Sequence, residues 1–466
     1  MSESTTSPPR REYAARVVEI LRRRGYKAWF AGGCVRDEVL GIPPKDYDIA
    51  SSATPEQVLA LFPRAEKVGA HFGVVLVKEA ENCVEVATFR SDHGYSDGRH
   101  PDAVTFETDP RLDAIRRDFT INAMFLDPFT GEVLDFTGGR DDLRAGVVRA
   151  VGNAVERFRE DHLRILRAAR FAARFGFAIE PETYAAMRSQ GSLLDTVSRE
   201  RVREELIRIL TEGGARRGLE LLDGCGLLER LLPEVKAFQG VAQPPEFHPE
   251  GDVWTHVMLM LDLMGKASPA LALGVLLHDV GKPSTFRVAE RIRFDGHVEV
   301  GVVMARRILE RLRCSGEQVE RVCALVEHHM RFSHVKRMKQ STLKRFLRMP
   351  RFEDHLELHR LDCLSSHRNL ESYEFARHAF ENMPSEALRP PRLLTGDDLI
   401  AAGYTPGPLF RELLRAVEDA QLEGRVHSRE EALDLAASLT PRRLPPPSNQ
   451  PGAMRADGAS PHDPTT

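Results

Sequence analysis

Hydrophobic and polar residues alternate along the chain with two different periods. Residues 11–25 place apolar side chains at helical spacing and end at Gly25, and a short apolar run, "KAWFAGG", follows at residues 27–33. Up to about residue 145, short β-branched runs are separated by turns, whereas from residue 150 to about 440 the period is helical. This change predicts a head with a mostly antiparallel or mixed sheet, followed by a long helical body.

The two ends of the chain lack this patterning. Residues 1–10 are polar, and residues 441–466 are rich in Pro, Gly, Ser and Ala with almost no large apolar side chains. Both ends are therefore expected to be disordered. The N-terminus has no apolar signal core, and no run of 18 apolar residues occurs, which predicts a cytoplasmic protein that does not enter a membrane.

Length and composition limit the classes of protein. A chain of 466 residues exceeds what one hydrophobic core holds, so about two to four domains are expected. The 65 basic and 69 acidic side chains nearly cancel, so any surface for nucleic acid must be a local cluster. The six cysteines are scattered without a Cys-x-x-Cys pair, which argues against a structural zinc site or a disulfide framework.

An Asp-x-Asp pair follows a Gly and Pro turn in the head. In "GIPPKDYDIASS", a strand would put the carboxylates of Asp46 and Asp48 on one face, close enough to share a divalent cation. An isolated Asp-x-Asp beside Gly and Pro is more often loop polarity. The surrounding motifs decide between the two interpretations.

Three neighbouring features carry phosphate-binding or metal-binding chemistry. "FAGGCVRD" puts Gly33 after an apolar strand, where backbone N–H groups can approach a phosphate with Arg36 alongside, although a plain strand-to-helix connection fits the same pattern. Glu85, in the strand-like run "VEVATF", is a candidate third carboxylate, although a solvent-facing Glu fits the pattern equally well. In "IRRDFTINA", Arg117 and its charged neighbours crowd an apolar run and need partners, which a triphosphate would supply.

The block "DFTGGRDDL" at residues 135–143 is predicted to be a hinge. Gly138 and Gly139 permit unusual backbone angles, and Asp141 is expected to cap the helix that follows. We interpret the block as structural rather than chemical.

Charged residues recur at helical spacing in "REDHLRILRAARF". Asp161, Arg164, Arg167 and Arg170 are three residues apart and are predicted to lie along one side of a helix. Asp161 would accept a hydrogen bond and Arg164 donate one, the pairing that reads the edge of a nucleobase, while the other two arginines would meet phosphates. A solvated face of ion pairs is the commoner fate of such residues when no other motif accompanies them.

The ordered motifs resemble those of one enzyme family. "GGCVRD", "DYD", "RRDFTINA", "DFTGGRDDL", "EDHLR" with "LRAARF", and "RERVREEL" follow one another over residues 28–210. Their order and spacing are similar to those of class II (bacterial-type) tRNA nucleotidyltransferases and related poly(A) polymerases, within the DNA polymerase β superfamily. The resemblance implies an α+β fold, with a polymerase β-like nucleotidyltransferase head around a small mixed sheet, followed by an all-α neck.

The resemblance also implies residue roles. Asp46 and Asp48 would bind a catalytic Mg²⁺, and Asp161 and Arg164 would form the protein template that selects CTP or ATP. The reaction implied is attack of an RNA 3′-hydroxyl on the α-phosphorus of the nucleotide, with release of pyrophosphate. The nucleotide-binding residues implied are Gly33, Arg36, Arg117, Asp161, Arg164, Arg167 and Arg170.

Residues 90–109 correspond to the flexible loop of that family. Their Gly, Ser and Asp content suits a mobile element that helps the pocket change between C and A. We expect Arg90, Tyr95 and Arg99 to tune this switch.

The helical body carries candidate ligands for a second metal site. An adjacent His278–Asp279 pair ends an apolar helix before Gly281, and burying both residues requires a partner such as a metal. Single histidines are usually ordinary surface or core residues. The further candidates are His256, His297, His328, His329 and Asp362.

The order H…HD…H…H…D over residues 245–365 resembles that of the HD-domain phosphohydrolases. It implies an all-α HD-type body that holds a second divalent metal, namely Ni, Mn, Co or Mg. Phosphatase, 2′-nucleotidase or 2′,3′-cyclic phosphodiesterase activity is implied for such a domain. The ligands implied are His256, His278, Asp279 and Asp362, followed by His297 and His328.

A basic run occupies residues 331–351, with eight Lys or Arg side chains and no acidic one. It would contact a phosphate backbone, or it is a solvated basic face. The sequence does not separate the two.

The resulting prediction is Mg²⁺-dependent, template-independent addition of CMP and AMP, from CTP and ATP, to the 3′ end of tRNA. The alternatives are an A-adding or CC-adding enzyme, a poly(A) polymerase or, in another class, an HD phosphoesterase whose head binds RNA. The oligomeric state is left open. The predicted segments are a leader (1–10), the head (11–145), a helical neck (146–225), the HD domain (226–370), a helical tail (371–440) and a disordered end (441–466).

Overall fold

The computed structural model describes residues 9–68, 73–79 and 81–440. The predicted leader lies outside these residues up to residue 8, and the predicted disordered end, 441–466, lies outside them entirely. The described residues form two compact units, one within residues 9–333 and 353–374 and the other within 334–352 and 375–440. None of the helices in these ranges has the length and apolar character needed to span a membrane.

A mixed sheet forms the centre of the head. Seven strands pair in the order β3–β4–β5–β2–β1–β8–β9; β2 and β5 are parallel and the other neighbouring strands are antiparallel, which confirms the small mixed sheet that was expected. The strands of the head are β1 (Ala28–Ala31), β2 (Asp48–Ser51), β3 (Glu66–Lys67), β4 (Val74–Glu79), β5 (Asn82–Thr88), β6 (Arg90–His93), β7 (Ala103–Phe106), β8 (Met124–Leu126) and β9 (Val133–Asp135).

Helices cover this sheet because their apolar residues recur at helical spacing. The first helix buries Val17, Val18 and Leu21 and packs against β1 and β5. It begins at Pro9, so the last two residues of the predicted leader are helical. The helices of the head are α1 (Pro9–Arg23), α2 (Gly33–Val39), α3 (Pro55–Leu61), α4 (Pro110–Ile115) and α5 (Gly139–Ala145).

The neck is helical apart from one short parallel pair of strands, β10 (Val147–Val148) and β11 (Ala178–Ile179). Its second helix packs against both its fourth and its fifth helix. The helices are α6 (Ala154–Glu160), α7 (Arg164–Phe175), α8 (Pro181–Gln190), α9 (Arg199–Thr211), α10 (Ala215–Gly224), α11 (Leu227–Leu231) and α12 (Pro233–Lys236).

The helical body begins at residue 253 and includes one two-stranded hairpin, β12 (Arg287–Val288) with β13 (Ile292–Arg293). Its helices are α13 (Val253–Leu263), α14 (Pro269–Leu277), α15 (Lys282–Thr285), α16 (His297–Arg311), α17 (Gly316–His328), α18 (Gln340–Leu347), α19 (Phe352–Ser365), α20 (Glu371–Asn382), α21 (Ser385–Leu388), α22 (Gly396–Ala401), α23 (Pro408–Leu422) and α24 (Arg429–Leu439).

One hydrophobic core runs through the first compact unit. It includes Val86 of the head, Leu206 of the neck and Leu276 of the body among its buried members. The head, the neck and this part of the body are therefore not separated by a change of core. The domain boundaries given by the sequence remain predictions.

The second compact unit contains much of the basic run. Within it, Arg345 pairs with Glu418 at 2.8 Å, Arg348 pairs with Glu418 at 2.6 Å, and the Lys344 ammonium donates to the Leu422 carbonyl at 2.7 Å. These cations are held by α23, so fewer basic side chains of residues 331–351 remain for a phosphate backbone than the sequence predicts.

Candidate active site and metal centre

Asp48 begins β2 at the edge where the head sheet meets the neck. In the strand register it lies beside Ala31 of β1 and Glu85 of β5. Tyr47 is buried, whereas Asp46 and Asp48 on either side of it are exposed, as the alternation of an extended chain requires. The structure therefore gives the two aspartates a common face and puts Glu85 next to Asp48.

The carboxylates of the head are close to one another without forming a closed metal cluster. Partial desolvation and the charge of Glu85 raise the pKa of Asp48 to about 6. Asp46 precedes the strand, and its carboxylate lies 3.4 Å from the Arg10 guanidinium. Among the described residues, groups of three ligand atoms within 4.8 Å of one another occur in the helical body and not in the head. A cation at Asp48 would therefore need oxygens from a ligand such as a nucleotide.

An arginine-rich cleft of about 440 Å³ lies between the head and the neck; we call it the head cleft. It contains every nucleotide-binding residue that the sequence predicts, together with Asp48. Its lining is Gly32, Gly33, Arg36, Asp48, Arg116, Arg117, Asp118, Asn122, Asp161, Arg164, Arg167, Arg170, Phe171 and Arg174.

The glycine turn makes room for one of these arginines. Gly32 has a positive φ of 76°, and a Cβ on it would lie 3.0 Å from the Arg117 guanidinium. Arg117 donates to the Asp113 carboxylate at 2.9 Å and to the Asn122 carbonyl at 3.2 Å. The turn thus lets Arg117 lie directly against the backbone at the end of β1.

Arg36 is more deeply buried than a simple phosphate contact would require. Its guanidinium donates to Asp37 at 2.8 Å and to the Asn122 side chain at 2.7 Å, and it lies over the rings of Phe171 and Phe175. Desolvation lowers its pKa from the ordinary arginine value. Arg36 therefore fixes the wall of the head cleft as well as lining it.

Arg167 forms a two-pronged ion pair with Asp118, at 2.9 Å and 2.5 Å. Desolvation alone would raise the pKa of Asp118, but Arg167 lowers it to about 2. Asn122 donates to the same carboxylate at 3.1 Å. The motif "RRDFTIN" thus supplies both the acid and the amide that orient an arginine of the neck.

The predicted helix face is interrupted at its first residue. Asp161 follows α6, and α7 begins only at Arg164, so Asp161 lies in the turn that joins the two helices. Its carboxylate accepts from the Leu163 N–H and from Arg201 of α9, both at 3.2 Å, and this side-chain to backbone bond competes with a continuous helix. The prediction that Asp161 lies on the same helix as the arginines is therefore wrong, although it lines the same cleft.

The remaining cleft arginines also have acidic partners. Arg164 donates to Glu160 at 2.7 Å, and Arg170 to Glu205 at 2.7 Å and Glu212 at 3.0 Å. Each arginine lines the head cleft while its acidic partner compensates its charge. A bound anion would therefore meet arginines that are already positioned.

The segment of residues 90–109 is more regular than a flexible loop. Antiparallel strands β6 and β7 enclose a turn, because Val104 and Thr105 continue an extended pattern opposite Ser91 and Asp92. Tyr95 donates to Asp92 at 2.9 Å. Arg90 also donates to Asp92, at 2.8 Å, whereas the Arg99 side chain is exposed.

The tip of this hairpin contacts the turn that carries Asp161. The His162 N–H donates to the Gly98 carbonyl at 3.1 Å, and the His162 imidazole lies 2.8 Å from the Thr196 hydroxyl on its other side. Gly98 has a φ of 67°, and a Cβ there would overlap the imidazole. The hairpin and the candidate template residue are thus mechanically linked through His162.

The hinge block has a different cap from the one predicted. The Asp135 carboxylate accepts from the N–H groups of residues 137–140, at 2.9–3.1 Å, whereas Asp141 is exposed and pairs with Arg144. Asp141 lies in the first turn of α5, too far along for its side chain to reach the free N–H groups that precede it. Gly138 does adopt the expected positive φ, at 81°.

The predicted ligands of the helical body converge on one buried centre. His256 Nε2 lies 3.3 Å from Asp362 Oδ1, and His278 Nε2 lies 3.1 Å from Asp279 Oδ2. His297 Nε2 approaches the other oxygen of Asp279, at 3.9 Å. All the predicted ligands except His328 are therefore brought together, from α13, the end of α14, α16 and α19.

His328 is not part of this centre, and His329 is. His329 Nε2 lies 3.7 Å from Asp279 Oδ1, whereas the His328 ring packs against His355. Successive residues of a helix point about 100° apart, so only one member of the His-His pair faces the centre. The prediction that His328 is a ligand is therefore wrong by one position.

The histidines are oriented as metal ligands are. The Nδ1 atoms of His278, His297 and His329 each lie 2.7–3.0 Å from a backbone carbonyl, which leaves Nε2 directed at the centre. These Nε2 atoms and Asp279 Oδ1 are buried and have no hydrogen-bond partner among the described residues. Buried atoms of this kind are costly unless a cation binds them, and the residues present fit a divalent metal.

Lys282 supplies a compensating charge at the same place. Its ammonium lies 2.7 Å from Asp279 Oδ2 and donates to Gln243 at 2.6 Å. Desolvation alone would raise the pKa of Asp279, but His278 and Lys282 hold it well below its ordinary value. A cavity of about 680 Å³, the HD cavity, opens beside this centre and is lined by Lys282, His297, His329 and Asp362 among others.

Three residues of the two sites are not among those predicted from the sequence: Arg174, Arg201 and Glu250. Arg174 continues the arginine spacing of α7 by one more turn and was identifiable from it. Arg201 was not, because its partner Asp161 is 40 residues away, and Glu250 was not, because the segment that precedes α13 has no regular period to relate it to His256.

Family models match three parts of the chain. Residues 28–149 match the poly A polymerase head domain, residues 176–239 match the probable RNA and SrmB-binding site of polymerase A, and residues 253–358 match the HD domain. These matches coincide with the sheet of the head, the later neck helices and the buried histidine centre.

Curated relatives agree with the family models. The chain is 39% identical over 355 residues to the multifunctional CCA protein of Laribacter hongkongensis, a match that covers 72% of this chain and 84% of that protein. It is 44% identical over 220 residues to the CCA-adding enzyme of Geobacillus stearothermophilus, a match that covers 47% of this chain and only 54% of that enzyme. The chain therefore spans about half the length of the Geobacillus stearothermophilus enzyme.

Solved structures resemble most of the chain. The CCA-adding enzyme of Bacillus stearothermophilus, in complex with CTP, has a TM-score of 0.71 at 29% identity and covers 92% of this chain and 98% of that one. The Thermotoga maritima CCA-adding enzyme, complexed with tRNA, has a TM-score of 0.56 at 20% identity, a likeness of fold, over 92% of this chain and 95% of that one. The chain belongs to the class II tRNA nucleotidyltransferase and poly(A) polymerase family, with an HD domain in its helical body.

Proposed function

We propose that the protein adds C, C and A to the 3′ end of tRNA, using CTP and ATP. The observation that carries this proposal is the head cleft, in which Asp48 faces a set of arginines fixed by acidic partners. An anionic ligand with a reactive phosphate fits such a cleft better than a neutral one does. We also propose a cytoplasmic location, where tRNA and nucleoside triphosphates are found.

Asp46, Asp48 and Glu85 are the residues that would hold the catalytic metal, which we propose to be Mg²⁺. Carboxylates on one sheet face, completed by phosphate oxygens and water, are the ligands that Mg²⁺ prefers. When held by these carboxylates, such a metal would supply Lewis-acid activation of the attacking hydroxyl and stabilisation of the leaving pyrophosphate. The protein itself supplies no nucleophile: the RNA 3′-hydroxyl attacks the α-phosphorus, and pyrophosphate leaves.

The arginines position the nucleotide for this attack. Arg117, beside the glycine turn, is placed to contact the triphosphate, and Arg167 and Arg170 line the same cleft. Asp161 and Arg164 present an acceptor and a donor to the base, and we propose that they choose between CTP and ATP. Asp161 would exchange its bond with Arg201 for the amino group of a base.

The β6–β7 hairpin is proposed to adjust this choice. Its tip holds His162 next to Asp161, so a small movement of the hairpin changes where the Asp161 carboxylate lies. Tyr95 and Arg90 both bond to Asp92 and would set the position of the hairpin, in keeping with the role expected of them.

The experiment compares the wild type with Asp48→Asn on tRNA that lacks its three terminal nucleotides. With Mg²⁺, CTP and ATP, the wild type is expected to extend the tRNA, and Asp48→Asn to lose at least about a thousandfold in rate, because a carboxylate that holds the metal is gone. Asp141→Asn, an exposed carboxylate of the same domain, is the control. Full activity in Asp48→Asn would overturn the proposal.

A second activity is favoured by the buried histidine centre. We propose that it binds a divalent metal and hydrolyses phosphoesters in the HD cavity. Four imidazoles suit Ni or Co better than Mg, which prefers oxygen ligands, and the two aspartates of the centre would also suit Mn. Asp279→Asn should abolish hydrolysis of a 2′,3′-cyclic nucleotide and leave tRNA extension intact; hydrolysis that survives this substitution would exclude the centre as its source.

The alternatives differ in measurable ways. A partial enzyme would add only A or only CC, and a poly(A) polymerase would extend RNA with A alone. If hydrolysis in the HD cavity were the main role and the head only bound RNA, Asp48→Asn would not impair cells that depend on the protein.

A further inference from the structure

Glu250 lies between two histidines just before α13. Its Oε1 is 2.7 Å from His256 Nδ1 and 2.9 Å from His248 Nδ1, and the two rings meet edge to face with centroids 5.0 Å apart. The Glu250 side chain is only 6% exposed and His256 is completely buried. A single carboxylate oxygen thus binds both imidazoles.

This contact determines which nitrogen of His256 faces the metal centre. When the ring is neutral, a proton on Nδ1 forms the bond to the Glu250 carboxylate and leaves the lone pair on Nε2. Nε2 is the atom that lies 3.3 Å from Asp362 Oδ1, in the centre. The Ser365 hydroxyl also approaches Nδ1, at the longer distance of 3.3 Å.

Another interpretation of the same three residues is a metal site of their own, since His248, Glu250 and His256 each offer a ligand atom. Two observations oppose it. Ligand atoms around a cation with metal–nitrogen distances of about 2.1 Å lie more than about 3 Å apart, whereas Oε1 is within 2.9 Å of both nitrogens. His256 would also have to bind one metal through each ring nitrogen.

His256 differs from the other histidines of the centre in this respect. The Nδ1 atoms of His278, His297 and His329 lie against backbone carbonyls, whereas that of His256 lies against a carboxylate. A carboxylate partner orients the ring and makes the opposite nitrogen a stronger donor to a metal. A side chain also differs from a carbonyl in that it can be replaced without altering the backbone.

We propose that Glu250 is a positioning residue for the metal of the HD domain: it fixes the tautomer and orientation of His256 without binding the metal. His248 holds the same oxygen from the opposite side and keeps the carboxylate aligned. The inference rests on the metal centre proposed above, and it assigns to the segment before α13 a role that its sequence does not reveal.

The test is metal binding rather than catalysis. Metal-free protein is titrated with Mn²⁺, and separately with Co²⁺, in a calorimeter. Glu250→Gln keeps the shape and removes the charge, and it should weaken binding by about 10-fold to 100-fold with an unchanged number of bound ions. Glu250→Ala should weaken it further. Glu246→Gln, an exposed carboxylate four residues earlier, is the matched control and should bind as the wild type does.

Each result distinguishes a positioning role of Glu250 from a separate metal site formed by His248, Glu250 and His256. Unchanged affinity in both Glu250 variants overturns the inference, and so does the loss of one bound ion in Glu250→Gln or His248→Gln, because that loss would make the residues ligands. A wild type that binds neither metal instead refutes the proposed metal centre itself. Circular dichroism and tRNA extension by the same samples report whether the variants are folded.

Discussion

Single residues of the head cleft are arranged as pairs in which an acid holds an arginine in place. Asp118 holds Arg167, and Glu205 holds Arg170, at 2.7 Å or less for the shorter contacts. Because these long side chains are already ordered, less conformational entropy is lost when a ligand binds. Removing one partner leaves the other charge buried and uncompensated, so the pairs are also structural.

Asp118→Asn is expected to destabilise the fold. The substitution leaves Arg167 without its carboxylate, and we expect a loss of about 2 kcal/mol in the free energy of unfolding. Urea unfolding measures this loss. Asp141→Asn removes an exposed carboxylate paired with an exposed arginine and should cost less than about 0.5 kcal/mol. Equal effects of the two substitutions would contradict the importance given to the buried pair.

The contribution of Asp118 should depend on pH in one direction. Its pKa is lowered to about 2, below that of the same group in the unfolded chain. The stabilisation is therefore fully present above about pH 4 and is lost as the pH falls toward 2. The difference in unfolding free energy between the wild type and Asp118→Asn should be constant from pH 5 to 7 and smaller at pH 3. A difference that grows at pH 3 would refute this.

The sequence reveals residues whose partners are near in the chain and misses those whose partners are far away. Asp46 and Asp48 were predicted to share a face because extended chain has a period of two; both are exposed on either side of the buried Tyr47, although β2 begins only at Asp48 and Asp46 pairs with Arg10. Asp161 was placed on a helix from its spacing, but its bonds to Leu163 and Arg201 stop the helix there. Arg201 is 40 residues away from Asp161, and no local sequence pattern predicts such a contact.

Elements of the chain meet at glycines in two functional places. The tip of the β6–β7 hairpin reaches His162 at Gly98, and α16 crosses the start of α15 at Gly281. In each place a Cβ would overlap a neighbouring group. Both contacts set the distance between an element and a candidate site.

Gly98→Ala should alter nucleotide choice. The added Cβ would push the His162 imidazole, and with it the turn that carries Asp161, so the ratio of CTP to ATP incorporation should change by about tenfold. Gly131→Ala is the matched control, because it has the same left-handed φ and nothing within 4 Å of the added Cβ. Steady-state incorporation on tRNAs that await C or A measures the ratio. An equal change in both variants would mean that backbone strain alone is responsible.

Gly281→Ala should weaken metal binding in the HD domain. The added Cβ would overlap the His297 carbonyl and lie 2.7 Å from the Gly301 N–H, so α16 has to move away from Asp279. We expect a loss of about 1–3 kcal/mol in stability and weaker Mn²⁺ binding. Gly316→Ala, in open space at the start of α17, should change neither. Calorimetry and urea unfolding test both statements, and wild-type metal affinity in Gly281→Ala would contradict them.

Helices and strands were predictable where one period of hydrophobic and polar residues persists, as in α1 and the strands around Asp48. Residues 90–109 were expected to be a flexible loop from the family resemblance and from their Gly, Ser and Asp content, whereas β6 and β7 pair within them. Asp141 was expected to cap the helix that follows the glycines, whereas Asp135 reaches the free N–H groups from the end of β9. Caps depend on where the chain turns, which the order of residues alone leaves open.

On the scale of the whole molecule, the first compact unit shares one core although it carries two candidate sites. The length of the chain predicted more than one core, and the second compact unit has its own around Leu413, while a smaller cluster lies around Phe125 in the head. The largest core nevertheless contains buried residues of the head, the neck and the body. Leu206 of α9 and Leu276 of α14 belong to the same cluster. The chain is therefore expected to unfold this unit as one cooperative structure.

The two tryptophans test this expectation. Trp29 lies in the head and Trp254 in the helical body. In Trp254→Phe the remaining tryptophan reports on the head, and in Trp29→Phe it reports on the helical body. Thermal unfolding followed by fluorescence should give the same midpoint for both variants. Saturating Mn²⁺ should raise both midpoints together, since a ligand of the folded state stabilises all that unfolds with it. Two different midpoints would contradict a shared core, above all if Mn²⁺ raised only the midpoint of Trp29→Phe, the variant that retains Trp254.

The central claim is that the head cleft adds C, C and A in order, and the added sequence tests it most directly. Three tRNAs, ending before the first C, before the second C and before the A, are incubated with protein, Mg²⁺, CTP and ATP, and their 3′ ends are sequenced. We predict that they gain CCA, CA and A. Gain of A alone, of CC alone, or of a run of A on any of the three would contradict the account.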